Sequence, residues 1–184
     1  MDTEWPYRKM MTEQPSRAKR VTPGTYAQAA RIGACVVVVT GFAWEEVQAS
    51  LAGLEVSFAH NPDYAQGMAS SLCRGLASLP GDVEAAAVLL ADMPWIDAGH
   101  IDRLSAAFDP ARARIVVPVK DGRRGNPVLW PREFFAEMQT LEGDIGARDV
   151  LRRHAQRIDA VAFDDDAIFA DVDTPAALPG TASR

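Results

Sequence analysis

The chain has 184 residues, 48% of them hydrophobic, enough for one buried core and too few for two independent ones. A net charge of -6 with no basic run excludes general binding to nucleic acid or to an acidic membrane, because a phosphate backbone is held by clustered cations. No apolar stretch reaches the roughly 20 residues that span a bilayer, and the polar N-terminus lacks the apolar core of a secretory signal, so a cytoplasmic protein is expected.

In chain order, the first secure element is residues 35–39, Cys-Val-Val-Val-Val, a β-branched run without alternation, as in a parallel strand covered on both faces. Helical spacing over 43–51 and a strand over 56–59 complete a β-α-β unit. Cys35 and Cys73 lack the spacing of a metal site or disulfide framework and read as reduced core residues. Asn61-Pro62-Asp63-Tyr64 is turn chemistry. Beyond Gly67, the residues Met68, Leu72, Leu76 and Leu79 share one helical face, which puts Ser70 and Ser71 near that helix's N-terminus. Residues 85–90 form a second buried strand, Asp92 lies just past its end, and a helix is predicted over 97–108. Residues 115–118 and 126–130 read as strands joined across a glycine-bearing hairpin loop. Pro131 opens a helix, residues 143–146 interrupt the pattern, and a helix over 147–154 precedes a strand at 160–163. This alternation predicts a single α/β domain over 1–184: three layers, α/β/α, around a mostly parallel sheet with an antiparallel element.

Two carboxylates at separate strand ends are a usual means of holding Mg²⁺ or Mn²⁺ against a nucleoside triphosphate, since hard oxygen ligands bridge the ion to phosphate oxygens. Asp92 and Asp173 are the candidates. The same positions serve a turn bond at Asp92 and a cap at Asp173, and spacing does not separate the two readings. Gly67, Met68, Ser70 and Ser71 offer helix N-terminal N–H groups and two hydroxyls to an anion or a base edge, or else simply cap the helix. Arg123 and Arg124 read as a solvated hairpin tip, and the acidic run Asp164-Asp165-Asp166 as a solvated turn. His60, His100 and His154 are scattered and give neither metal spacing nor a triad.

Taken in order, Val36-Val-Val-Val-Thr-Gly41, Asn61-Pro-Asp-Tyr-Ala-Gln-Gly-Met68 with Ser71-Leu72, Ala91-Asp-Met-Pro94, Gly143-Asp-Ile-Gly-Ala-Arg148 and Asp171-Val-Asp-Thr-Pro175 form a series. It resembles the nucleotidyltransferases that attach a nucleotide to molybdopterin, the molybdenum cofactor cytidylyltransferases in particular. The resemblance implies a nucleotide-diphospho-sugar transferase-like fold and transfer of CMP from CTP, or of another nucleotide from its NTP, to molybdopterin with release of pyrophosphate. It implies Mg²⁺ or Mn²⁺ on Asp92 and Asp173, and a nucleotide and acceptor site lined by Asn61, Gly67, Met68, Ser70, Ser71, Asn126 and Pro127. A molybdoenzyme or its chaperone would be a further partner.

Two departures bear on function. Gly125-Asn126-Pro127 stands where many cytidylyltransferases have Gly-His-Pro, which leaves the acceptor open. The family's opening Leu-Ala-Ala-Gly-x-Ser-x-Arg-Met-Gly loop, whose amides cradle the triphosphate, has no match. Lys9-Met10-Met11-Thr12-Glu13 resembles the segment immediately after that loop, so residues 1–20 read as an atypical or truncated N-terminus, with Lys9 the candidate cation for the leaving pyrophosphate. Weak triphosphate binding is then expected. The alternatives are a non-catalytic remnant that binds a nucleotide, a pterin or a protein partner, and a related sugar-phosphate nucleotidyltransferase. Without its first strand, the sheet would leave backbone groups unpaired at roughly 1–3 kcal/mol each. Residues 1–11, a strand from another chain or collapse of the neighbouring strands must therefore fill the slot.

Overall fold

In the computed structural model, residues 8–12, 35–144 and 147–171 are described. Among them, eight strands build one sheet: β1 (Arg8–Thr12), β2 (Val36–Thr40), β3 (Val56–His60), β4 (Ala85–Leu90), β5 (Ile115–Lys120), β6 (Arg123–Arg124), β7 (Val128–Pro131) and β8 (Ile158–Ala162). The helices are α1 (Trp44–Ser50), α2 (Met68–Ala77), α3 (Ala98–Ala106), α4 (Phe135–Met138) and α5 (Arg148–Arg153). The sheet order is β3-β2-β1-β4-β7-β5-β6, with β8 also paired to β5. Strands β1 to β4 are mutually parallel, as are β5 and β8; β7 runs antiparallel to β4 and β5.

The valine run of β2 explains the three layers. Val36 and Val38 pack in one apolar cluster with Val47 of α1 and Ile101 and Leu104 of α3. Val37 and Val39 pack in another with Leu72 and Leu76 of α2, Met138 of α4 and Val150 of α5. Alternate side chains of a strand point to opposite faces, so four valines in a row mean helices on both sides. Strand β4 divides in the same way, with Ala85, Ala87 and Leu89 on the first face and Ala86 on the second. The fold is therefore the three-layer α/β arrangement, around a mostly parallel sheet with an antiparallel element, expected from the sequence.

Strand β1 fills the slot that the sequence left open. Lys9 lies opposite both Val36 and Ala87, and Thr12 opposite both Val39 and Leu90. The chain's own residues 8–12 thereby satisfy the inner edges of β2 and β4, whose backbone groups would otherwise be buried unpaired. This corrects the placement of Lys9-Met10-Met11-Thr12 after a phosphate loop: these residues are the strand that leads into the site edge. Lys9 sits three residues before Thr12, about 10 Å from the carboxyl edge at roughly 3.3 Å per residue.

Two further boundaries differ. Strand β5 turns through Asp121 and Gly122, both at positive φ, into β6, and Asn126 and Pro127 interrupt the ladder before β7 resumes opposite Val116 and against β4. Pro131 ends β7 in extended conformation (φ -60, ψ 148) opposite Ala85 instead of opening a helix, and a 3-10 turn, Arg132–Phe134, precedes α4. Cys35 and Cys73 are free and half-buried. Burial pushes the Cys73 thiol above its ordinary value. No helix among the described residues is long and apolar enough to cross a membrane.

Candidate functional site

Because β1 to β4 are parallel, their carboxyl ends share one edge of the sheet, the edge at which ligands bind in open α/β folds. Strand β7 enters from that side, since Val128 pairs with Val88 near the end of β4. The edge therefore collects Asn61 after β3, Gly41 after β2, Asp92 after β4, and Asn126 and Pro127 before β7. From β3 to β7 is four strand spacings, about 19 Å at roughly 4.8 Å each. Asn61 and Asn126 are thus four strands apart along one edge, with room for two ligands side by side.

Asn61 organises the β3 end. It is 3% exposed, and its backbone N–H donates to the Thr40 carbonyl at 2.7 Å. Its Nδ2 donates to Ser70 Oγ at 2.9 Å and Ser71 Oγ at 3.0 Å, while its Oδ1 accepts the Asp63 N–H at 3.1 Å. The Asx turn thus fixes the amide, and the amide fixes two hydroxyls on the first turn of α2. Ser70 Oγ also reaches the Gly67 carbonyl at 2.9 Å and the Asp63 carbonyl at 3.1 Å. The Asn61 amide and the Ser70 hydroxyl are thereby fixed in place.

Two of the donors expected to be open at the α2 N-terminus are taken. Ala69 N–H donates to the Gly143 carbonyl at 3.0 Å, and Met68 N–H to Asp144 Oδ1 at 3.4 Å. The turn at Gly143 and Asp144 is docked on the helix so closely that a Cβ at Gly67 would lie 2.4 Å from the Gly143 carbonyl carbon. Both motifs are legible in the sequence, but their contact is not. The signal was present in the two glycines at positive φ, Gly67 and Gly143, but which distant segment a glycine admits is a tertiary fact.

The Asp92 turn is anchored by its neighbours. Met93 and Ile96 are 3% and 2% exposed in the core, and Ile96 N–H donates to the Met93 carbonyl, which leaves Asp92 half-buried at the edge. Asp173 lies outside the described residues. The chain that leads to it passes Ile168, fully buried, whose carbonyl accepts the Asn126 N–H at 2.9 Å. A Cβ at Gly125 would lie 2.6 Å from that same carbonyl, so the glycine before Asn126 is needed for the close approach.

Among the described residues no three His, Cys, Asp or Glu side chains converge on a point that could hold a metal. Mg²⁺ keeps several waters and commonly takes one or two carboxylates plus substrate phosphates. A hard carboxylate at the end of β4 is a donor of the kind such an ion uses. Exposed rings border the same edge: Phe42 is 60% exposed and meets Tyr64 edge-on, and Trp44 is tilted against His60. The opposite edge also carries arginines, but they are engaged. Arg114 pairs with Asp159 at 2.6 Å, Arg132 bonds the Pro80 and Val83 carbonyls, and Arg157 pairs with Glu133. The hairpin tip is engaged as well, with Arg123 4.5 Å over the Phe169 ring and Lys120 bonded to Asp166 at 2.8 Å. That hydrogen bond raises the Lys120 ammonium above its ordinary value.

Residues 16–158 match the family described as the MobA-like NTP transferase domain. No curated protein matches the chain by sequence. Among solved structures, a homologue of Rv0371c from Mycobacterium sp. strain JC1 superposes with a TM-score of 0.72, over 92% of this chain and 91% of that one, at 22% identity. Rv0371C from Mycobacterium tuberculosis H37Rv, in complex with manganese, gives 0.67 over 86% and 89%, at 21% identity. The 2-C-methyl-D-erythritol 4-phosphate cytidylyltransferase from Thermus thermophilus gives 0.60 over 90% and 93%, at 18% identity. At these identities the likeness is one of fold.

Proposed function

Since the chain belongs to the MobA-like NTP transferase domain family, we propose that it transfers CMP from CTP to molybdopterin and releases pyrophosphate. The observation that carries this reading is the Asn61 network: a buried amide holding Ser70 and Ser71 at the carboxyl edge, on the same edge as Asp92. On this reading the base lies at the β3 end and the phosphates near the ends of β1 and β4. The acceptor lies by Asn126 and Pro127. Support for molybdopterin as acceptor comes from the ordered motif series in the sequence.

In the reaction, a phosphate oxygen of molybdopterin bonds to the α-phosphorus of CTP, the bond to the bridging oxygen of the β-phosphate breaks, and pyrophosphate leaves with the electron pair. A Mg²⁺ or Mn²⁺ ion on Asp92 and Asp173 would neutralise charge on the phosphates; the manganese complex of the similarly folded Rv0371C makes Mn²⁺ a reasonable probe. The protein's own work is positioning: Asn61 and the serines orient the base, and Asp92 fixes the phosphate end. One sequence feature favours a second reading, nucleotide or pterin binding without transfer. Residues 13–20, which follow β1, contain no glycine that would let backbone amides close on a triphosphate, although Arg17, Lys19 and Arg20 are among them.

The test is pyrophosphate release by the whole chain with CTP, Mg²⁺ and molybdopterin. Release should require molybdopterin and favour CTP over GTP by about tenfold or more, the discrimination one hydrogen-bonded base edge supplies. CTP binding without release would establish the second reading. Release with methylerythritol phosphate but not with molybdopterin would overturn the acceptor.

A further inference from the structure

Between Arg31 and Arg103 the sequence carries a single lysine or arginine, Arg74, and its Nε donates to the His60 carbonyl at 2.9 Å. The carboxyl ends of β2 and β3 lie in this stretch, among Glu45, Glu46 and Asp63. Within it, nothing but Arg74 could meet a phosphate by charge. What these strand ends present is ring surface: Phe42 is 60% and Trp44 39% exposed.

The turn that carries Phe42 is held from both sides. Gly41 and Ala43 bridge to each other around it, and Ala43 is at φ 55, a left-handed conformation uncommon for a residue with a side chain. Such conformations persist where the surrounding structure imposes them, and they cluster at ligand sites. A Cβ at Gly41 would lie 2.5 Å from Tyr64 Cβ and 2.7 Å from its Cγ, so the Tyr64 side chain rests directly on Gly41. The Tyr64 ring then meets Phe42 edge-on, with 6.4 Å between centres and 63° between planes. An edge-to-face contact covers at most one face of either ring, so Tyr64 leaves a face of Phe42 open.

The same turn is tied to the Asn61 cluster. Thr40, two residues before Phe42, accepts the Asn61 N–H at 2.7 Å, and Tyr64 lies three residues after Asn61. Asp92 follows β4, two strand spacings from β2, about 10 Å at roughly 4.8 Å each. One edge thus has a ring end poor in cations and, beyond it, a carboxylate suited to a metal ion. That is the polarity of a nucleotide laid with its base at β2 and β3 and its phosphates toward β4.

We propose that Phe42 is a binding residue whose open face stacks on the base of the nucleotide, with Tyr64 bracing its ring and the Asn61 cluster at the base edge. On the nucleotide-transfer reading, on which this rests, the two contacts divide the work. Stacking supplies affinity without choice of base, because every base has a π-face. Hydrogen bonds at the base edge supply the choice. Affinity from the base end matters more in a chain whose residues 13–20 contain no glycine to close amides on the triphosphate.

The test is calorimetric titration of the whole chain with CTP and with GTP at saturating Mg²⁺. Phe42→Ala should weaken both by about tenfold or more and leave their ratio unchanged. Its melting temperature should stay within a few degrees of the wild type, since truncating a ring this exposed opens no cavity. Phe42→Trp, with a larger face, should bind both at least as tightly as the wild type. CTP affinity in Phe42→Ala within twofold of the wild type, or a loss confined to one base, would overturn the stacking and leave the nucleotide site standing. No CTP binding by the wild type would overturn both. Self-association of the wild type that Phe42→Ala abolishes, with CTP affinity kept, would assign the ring to a second copy of the chain instead.

Discussion

Asp92→Asn should slow molybdopterin-dependent pyrophosphate release by about a thousandfold, roughly 4 kcal/mol of transition-state stabilisation, with little effect on folding. The substitution keeps the shape of the side chain and replaces one carboxylate oxygen by an amide nitrogen that cannot ligate a hard cation. The turn itself is held by Met93 and Ile96 in the core, not by the carboxylate alone, so the melting temperature should stay within a few degrees, as for substitutions that leave no cavity. Steady-state release at saturating Mg²⁺ and a thermal melt on the same preparation separate the two effects. Activity within tenfold of wild type would remove Asp92 from the site.

Gly67→Ala is the substitution expected to cost most in stability, about 3 kcal/mol or more. Gly67 has φ 111 and ψ 174, a region that is essentially open to glycine only. The added methyl would also meet backbone, 2.4 Å from the Gly143 carbonyl carbon and 2.5 Å from its oxygen, where no flexible side chain can give way. Relief requires the turn at Gly143 to lift from α2, breaking the bond from Ala69 N–H. Gly53→Ala is the control: φ is 88 there and nothing lies within 4 Å of the added carbon, so only the backbone penalty of about 1–2 kcal/mol applies. Urea denaturation of both variants measures the difference, and equal losses would show that the close approach to Gly143 is unimportant.

Local patterns carried most of the fold. Four valines in a row announced a strand covered on both faces, and the apolar spacing after Gly67 announced α2, because strand and helix periods are written in consecutive residues. The edge position of Asp92 was legible for the same reason: a strand end followed by a turn places it. The first strand was not, since Arg8-Lys9-Met10-Met11-Thr12 has neither the β-branched content nor the apolar character of a buried strand. The two open edges beside it decide its conformation, and those are tertiary. Asp164-Asp165-Asp166 and His100 were read separately, as a solvated turn and a scattered histidine. Their contact spans 65 residues, and no local signal encodes a partner that distant. The same limit hid the docking of Gly143 and Asp144 on the donors of α2.

That a nucleotide occupies the edge between Asn61 and Asp92 is tested by amide chemical-shift mapping of the ¹⁵N-labelled 19.9 kDa chain titrated with CTP and Mn²⁺, or with Mg²⁺ where Mn²⁺ broadens the signals. Shifts should concentrate at Asn61 to Leu72, at Gly143 and Asp144, and at Asp92 and Met93, and the opposite edge around Arg114, Arg132 and Arg157 should stay silent. Perturbation confined to that opposite edge, or none at saturating CTP, would contradict the assignment.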